Sequence, residues 1–188
     1  MTQIQILPKL IPIEFCHFLT HVLMRHSVLD RQTDEQMPNA LTVMSHDIVF
    51  ETLQERLWTA IEKTMGESLT PTYSYARLYG NEDVLEKHID RPSCEVSVTV
   101  QLGRSHHYSW PIYMGGERID LGEGDAVIYP GCDIEHWRNR CDGPANYYSG
   151  QLFMHFVRTH GKHASWANDK REDKLRYAKN RTFNMEIK

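Results

Sequence analysis

Tyr79-Gly-Asn-Glu-Asp-Val-Leu-Glu-Lys-His-Ile-Asp90 is the stretch from which the rest of the chain can be read. It ends in the pair His88-x-Asp90, and His136 follows farther along as a third candidate ligand. Residues two apart on an extended segment point to the same side, so His88 and Asp90 can face one metal ion. With His136 they would form a two-histidine, one-carboxylate face, the ligand set that leaves positions on iron(II) open for small molecules and oxygen. His-x-Asp alone is a common pattern, and its flanks decide whether the three residues meet.

Downstream, Glu95-Val-Ser-Val-Thr-Val-Gln-Leu102 alternates polar and apolar residues without a break, as a strand buried on one face should. Ser97, Thr99 and Gln101 share one side, while Val96, Val98, Val100 and Leu102 share the other. Before His136, the segment Leu121 to Gly131 reads as a turn, an apolar strand and a second turn. The three ligands are therefore expected at strand ends of an all-β barrel, held rigidly around an open mouth.

The Tyr79-Gly80 lead-in to His88-Ile-Asp90, the strand Gly122-Glu-Gly-Asp-Ala-Val-Ile-Tyr129 before His136, and a closing strand from Tyr147 to Val157 agree in order and spacing with one family. Together they resemble the iron(II)- and 2-oxoglutarate-dependent oxygenases, in particular the prolyl-4-hydroxylase-like branch. The resemblance covers residues 70 to 158, with a weaker echo in the N-terminal helix. It implies a mainly β chain with flanking α-helices, folded as a double-stranded β-helix (jelly-roll) barrel. It also implies Fe(II) on His88, Asp90 and His136, with 2-oxoglutarate as cosubstrate and O2 as oxidant. The reaction implied is hydroxylation of a C–H bond as 2-oxoglutarate is decarboxylated to succinate.

In that family a basic side chain on the penultimate barrel strand holds the far carboxylate of 2-oxoglutarate. Here the sequence departs from the pattern, because Tyr147-Tyr-Ser-Gly-Gln-Leu-Phe-Met-His-Phe-Val157 contains no Lys or Arg. Arg138, two residues past His136 and on its side if extended, is the favoured anchor, since a planar guanidinium matches a carboxylate bidentately. Arg140, Arg158 and Arg77 are the other candidates. Tyr79, Gln151, Gln101 and Thr99 are assigned to the same cosubstrate pocket, and His155 shares a strand face with Gln151. Two alternatives remain: a cupin-like metal enzyme that does not use 2-oxoglutarate, favoured by the missing basic residue, and a non-catalytic binding domain, opposed by the intact triad.

A chain of 188 residues with 40% hydrophobic content suits one domain with a real core. The expected division is helices over 12–66, barrel over 70–158 and a charged tail over 159–188. The formal charge of −4 and pI near 6.2 argue against a protein built to grip nucleic acid. Cys16, Cys94, Cys132 and Cys141 show neither zinc-knuckle nor disulfide-framework spacing. Charges inside the N-terminal apolar stretch, Lys9 and Glu14, argue against a signal peptide or membrane span. The expectation is a cytoplasmic monomer or homodimer acting on a small-molecule or peptidyl substrate.

A first helix is expected from Pro12 to Met24, with His17, His21 and His26 on its surface. His17 and His21 are helical neighbours, but no third ligand accompanies them. After a polar linker over 30–39, Asp47 caps a second helix carrying Val49, Leu53, Leu57 and Ile61 to Gly66. Tyr73, Tyr75, Arg77 and Tyr79 fall on one side of a strand over 70–80, either as pocket residues or as a packing ladder. Trp110 to Met114 reads as a strand turned by Gly115-Gly116, and the adjacent His106-His107 as a solvated loop. Arg91-Pro-Ser-Cys94 and Gly103 to Tyr108 are loops from which a substrate pocket would be built. The mixed-charge tail is expected to be helical in part, with Trp166, Leu175 and Tyr177 as possible anchors.

Overall fold

A computed structural model describes residues 4–171, and over them the period-two segments form strands and the apolar-striped segments form helices. Strand β1 is Gln5–Leu7, helix α1 Ile13–Leu29, β2 Thr42–Ser45 and helix α2 Ile48–Met65. Then come β3 Leu69–Gly80, β4 Leu85–His88, β5 Val96–Arg104, β6 Ile112–Met114 and β7 Glu117–Ile119. The last three are β8 Ala126–Tyr129, β9 His136–Arg138 and β10 Tyr148–Arg158. All pairings are antiparallel, in a six-stranded sheet ordered β1-β8-β5-β10-β3-β2 and a four-stranded sheet ordered β4-β9-β6-β7.

The alternation in β5 sets the layering. Val96, Val98, Val100 and Leu102 pack with Ala76 and Leu78 of β3, and with Leu152, Met154 and Phe156 of β10. Against this apolar face lie Cys16, Leu19 and Leu23 of α1 and Phe50, Trp58 and Ile61 of α2. Each such fully buried side chain contributes about 1.5–3 kcal/mol, so both helices are held mainly by this contact. The opposite face of the large sheet, with Ser97, Thr99, Gln101, Gln151 and His155, looks toward the smaller sheet. Two clusters bridge the sheets: Val127 and Tyr129 pack with Ile112, Met114 and Ile119, and Tyr79 packs with Leu85 and Trp110.

Local signals place the helix ends. Asp47 Oδ1 accepts the Val49 N–H at 2.9 Å, and Gly66 closes α2 in the left-handed region at φ 67°. Pro12 is the residue before α1 rather than its first turn, and the helix continues five residues past the expected end, to Leu29. On α2 the most buried stripe is Phe50, Gln54, Trp58 and Ile61, displaced by one residue from the Val49-Leu53-Leu57 series, which is only partly buried. Gln54 explains the displacement: its Nε2 donates to the His155 carbonyl at 2.7 Å and the Tyr73 carbonyl at 3.2 Å, drawing that side onto the sheet.

Gly115 and Gly116, at φ 59° and 92°, turn β6 into β7 as a two-residue hairpin. The expected Arg91–Cys94 loop is a short 3-10 turn, Pro92–Cys94, with Ser93 and Cys94 buried. Of the tail, Leu175 and Tyr177 lie outside the described residues. Its described part, Ala164–Lys170, is 3-10 rather than α-helical and is broken at Ala167, Asn168 and Asp169. Asp169 pairs there with Arg91 at 2.8 Å, while Lys170 Nζ lies 3.6 Å from the centroid of the Trp166 ring. No helix among the described residues is long and apolar enough to cross a membrane.

Candidate metal centre

His88 and His136 meet because β4 and β9 are neighbours in register, with the two Cα atoms directly paired. Their rings lie 4.2 Å apart. Two residues past His88, Asp90 is fixed by its own N–H, which donates to the Gly131 carbonyl at 2.9 Å. Its Oδ1 stands 3.7 Å from His88 Nε2 and 3.5 Å from His136 Nε2. One ligand atom from each residue thus falls within 4.8 Å of the others.

The two imidazoles are oriented for ligation. His88 Nδ1 sits 2.7 Å from the Glu86 carbonyl, and His136 Nδ1 sits 3.0 Å from the Ile134 carbonyl. A carbonyl oxygen only accepts, so each Nδ1 carries the proton and each Nε2 turns its lone pair toward Asp90. Such outer hydrogen bonds fix tautomer and ring angle at metal sites. Two nitrogen lone pairs and a carboxylate oxygen converging on one point suit a cation between them. Without a metal, burial raises the Asp90 pKa, but the surrounding His136, His155 and His88 side chains outweigh it and hold the carboxyl below its usual range. Burial keeps His88 below the ordinary imidazole value, favouring the neutral, ligating form.

Behind Asp90 stands Ser97, whose Oγ lies 3.0 Å from Asp90 Oδ2, 3.2 Å from the Cys94 carbonyl and 3.0 Å from His155 Nδ1. His155 in turn packs against the Tyr73 ring at 4.6 Å. Asp90, Cys94 and His155 form a second group of closely spaced donor atoms, but it shares Asp90 with the first and so belongs to the same site. Burial pushes the His155 imidazole down from 6.5 to about 4, so it is neutral in the fold at neutral pH. An unfolded chain binds a proton there below about pH 6.5 that the fold refuses; stability present above that pH is lost as pH falls toward 4. Between about pH 7 and about pH 5 this residue should cost about 2 kcal/mol of stability, and His155→Gln should flatten the profile by that amount in urea unfolding.

A cavity of about 210 Å³ opens on the triad, lined also by Asp34, Gln36, Tyr73, Tyr75, Arg77, Tyr79, Phe153 and His155. The ladder Tyr73, Tyr75, Arg77 and Tyr79 is therefore a pocket wall. Of the four arginines, Arg140 is exposed and pairs with Glu82 at 2.6 Å, while Arg158 pairs with Glu67 and Glu95 away from the cavity. Arg77 lies in the wall, with Tyr79 Oη accepting from its Nη1 at 3.1 Å. Arg138 is 2% exposed on the side of β9 that carries His136, with its guanidinium 5.0 Å from the Trp110 ring. It donates to the Trp110 carbonyl, its Nε–H is buried without a partner, and it has no carboxylate partner among the described residues. Burial drives its pKa below the usual arginine value, the signature of a buried cation lacking an anion.

Thr99, Gln101 and Gln151 sit behind the cavity lining. Thr99 Oγ1 is 3.3 Å from Tyr129 Oη, and Gln151 Nε2 donates to Gln101 Oε1 at 2.5 Å, leaving Gln151 Oε1 buried without a partner. The helical histidines are not brought to the triad: His17 Nε2 is 3.0 Å from Glu123, and His26 is turned inward, 2.7 Å from Thr42 Oγ1, rather than lying on the surface. Asp34, Gln36 and Gly131 are site residues that sequence patterning did not single out. Asp34 and Gln36 occupy a linker without periodicity, and Gly131 reads as an ordinary turn glycine.

No family model matches the chain, and no curated protein matches it in sequence. Solved structures do match its fold. A prolyl-4-hydroxylase from Pseudomonas putida superposes with a TM-score of 0.63 at 14% identity, over 82% of this chain and 92% of that one. An oxidoreductase of the 2OG-Fe(II) oxygenase family from Burkholderia pseudomallei gives 0.63 at 15% identity, over 88% and 86%. HygX from Streptomyces hygroscopicus, solved with nickel, 2-oxoglutarate and hygromycin B, gives 0.59 at 14% identity, over 81% and 82%. The fold is that of the 2-oxoglutarate and iron(II) oxygenases, prolyl-4-hydroxylases among them.

Proposed function

We propose that this protein is an iron(II)- and 2-oxoglutarate-dependent dioxygenase, its two sheets forming a double-stranded β-helix barrel around the reaction site. The observation that carries the reading is the convergence of His88 Nε2, Asp90 Oδ1 and His136 Nε2 on one point, each imidazole fixed through its other nitrogen. A metal would be held there by these three residues, and iron with 2-oxoglutarate and O2 would supply oxidative decarboxylation to succinate and CO2 coupled to hydroxylation of a substrate C–H bond, one oxygen atom of O2 going to each product.

The chain's own residues do the rest. His88, Asp90 and His136 hold the metal, and Ser97 keeps the second Asp90 oxygen turned away from it. Arg138 grips the far carboxylate of 2-oxoglutarate, which gives its buried charge the anion it otherwise lacks. Tyr79 stands beside that path, packed on Trp110 with ring centroids 5.0 Å apart. Thr99, Gln101 and Gln151 make a buried polar floor beneath the cosubstrate. Leu85, Ile112 and Tyr129 line the same cavity and exclude water from it.

Anaerobic titration of metal-free protein with iron(II), then 2-oxoglutarate, tests this. The expected result is a weak visible charge-transfer band that appears only after both additions and is lost in His136→Ala. Iron binding without a band would instead favour a metal enzyme of this fold that does not use 2-oxoglutarate. Failure to bind iron would leave the barrel as a scaffold.

A further inference from the structure

The cavity already contains a carboxylate. Asp34, from the segment between α1 and β2, reaches into it: its Oδ2 accepts from Arg77 Nη2 at 2.5 Å and from the Tyr75 hydroxyl, and its Oδ1 accepts the Met37 N–H at 2.7 Å. We propose that Arg77 and Tyr75 form a second anion subsite, which takes the carboxylate of a small carboxylic-acid substrate once the Asp34 segment moves aside. This rests on the oxygenase reading for the pocket's identity as a substrate pocket, and it adds the substrate's class.

Three observations carry it. First, Arg77 is 3% exposed yet lines the same cavity as His88, Asp90 and His136, so an anion held by it lies within one small chamber of the metal. Second, Asp34 uses the guanidinium incompletely. Carboxylates bind arginine best through two parallel N–H donors. Here Asp34 takes only Nη2, Gln36 Oε1 shares that nitrogen at 3.2 Å, Nη1 goes to Tyr79, and the Nε–H is buried without a partner. A free carboxylate can adopt the two-point grip on Nε and Nη2 that the tethered one does not.

Third, Asp34 sits on a segment without helix or strand and is 29% exposed, against 3% for Arg77, so the acid can leave while the cation stays. Tyr73, Tyr75 and Phe153 wall the space on the Arg77 side and suit a compact organic body between carboxylate and metal. Arg77 and Arg138 are then two anchors with separate duties, one for substrate and one for cosubstrate. A peptidyl residue offers Arg77 an anion only through an acidic side chain or a chain terminus, as Asp34 itself does, so the subsite selects a carboxylate-bearing substrate over a peptidyl proline.

The probe is acetate, with acetamide as its uncharged control, titrated into metal-free ¹⁵N-labelled protein. Binding is followed through the Arg77 Nε–H resonance, assigned by its absence in Arg77→Lys. Removing the internal competitor in Asp34→Asn should tighten apparent acetate affinity about tenfold or more, because the competent open state is no longer a minor population. Acetamide should give no saturable shift. In the Asp34→Asn/Arg138→Met background, which lacks the cosubstrate anchor, acetate binding should persist, and it should vanish when Arg77→Met is added, followed there by acetate's own relaxation.

Acetate affinity unchanged by Asp34→Asn, or binding that survives loss of Arg77 in the background without Arg138, overturns the proposal. If Asp34→Asn does not fold, wild-type protein decides alone: a saturable shift with acetate and none with acetamide supports the subsite, and no saturable acetate shift overturns it. Neither iron nor 2-oxoglutarate is present, so this failure leaves the metal reading standing, and a failed iron titration leaves the acetate result standing.

Discussion

On the proposed function, Asp90→Ala should abolish metal-dependent turnover and leave the fold in place. Asp90 supplies the only negative charge of the triad, and its Oδ1 is the atom both histidine nitrogens face, at 3.7 and 3.5 Å. Losing even a group that merely orients a ligand costs about 10- to 100-fold in affinity or activity, so losing the ligand should exceed about 100-fold. The fold tolerates the change because Asp90 belongs to none of the apolar clusters, and the Ser97 hydroxyl retains the Cys94 carbonyl at 3.2 Å. Metal-free stability should therefore stay within about 1 kcal/mol of wild type. Iron content, melting temperature and turnover measured on one preparation check this; turnover retained at normal iron content removes the assignment.

Gly131→Ala is the second large effect, and it comes from space rather than backbone conformation. A Cβ at Gly131 would lie 2.4 Å from Asp90 Oδ2, 2.5 Å from Ser97 Oγ and 2.6 Å from the Cys94 carbonyl oxygen. The carbonyl cannot swing away as a side chain would, and Gly131 is itself tied to Asp90 through its own carbonyl at 2.9 Å. Overpacking of this kind costs about 1–3 kcal/mol. Taken up by displacing Asp90, that is about 5- to 150-fold in metal affinity. Gly80→Ala is the control: the nearest atoms to its Cβ would be those of the Leu41 side chain, at an ordinary contact distance of 3.4 Å and beyond, and metal affinity should stay within about twofold. Equal metal affinity in Gly131→Ala and wild type would show that the glycine is not what makes room for Asp90.

The parts of this molecule governed by short periods were legible in its sequence. Two-residue alternation placed Val96 to Leu102 against the helices and Ser97, Thr99 and Gln101 inward, and the same rule put His88 and Asp90 on one side. What escaped was set by contacts between distant segments. Asp34 reaches Arg77 across 43 residues from a stretch with no pattern of its own, and the Ser97–His155 contact spans 58. The displaced stripe on α2 has a similar cause, since apolar spacing alone could not weigh the two carbonyls that Gln54 satisfies. Arg138 was reachable from sequence because it is two positions from His136 on one strand; its isolation from carboxylates was not, because that depends on everything around it.

The large sheet has its apolar side under two helices and its polar side toward the cavity. Cohesion and chemistry are therefore written on alternate letters of the same strands. Substitutions at inward positions such as Tyr75 and Phe153 leave the helix-facing letters untouched, so lineages can explore new pocket linings while the scaffold persists. A library randomised only at inward letters should keep far more folded members than one randomised at the neighbouring outward letters, which makes this sheet a practical starting point for altering what the pocket accepts.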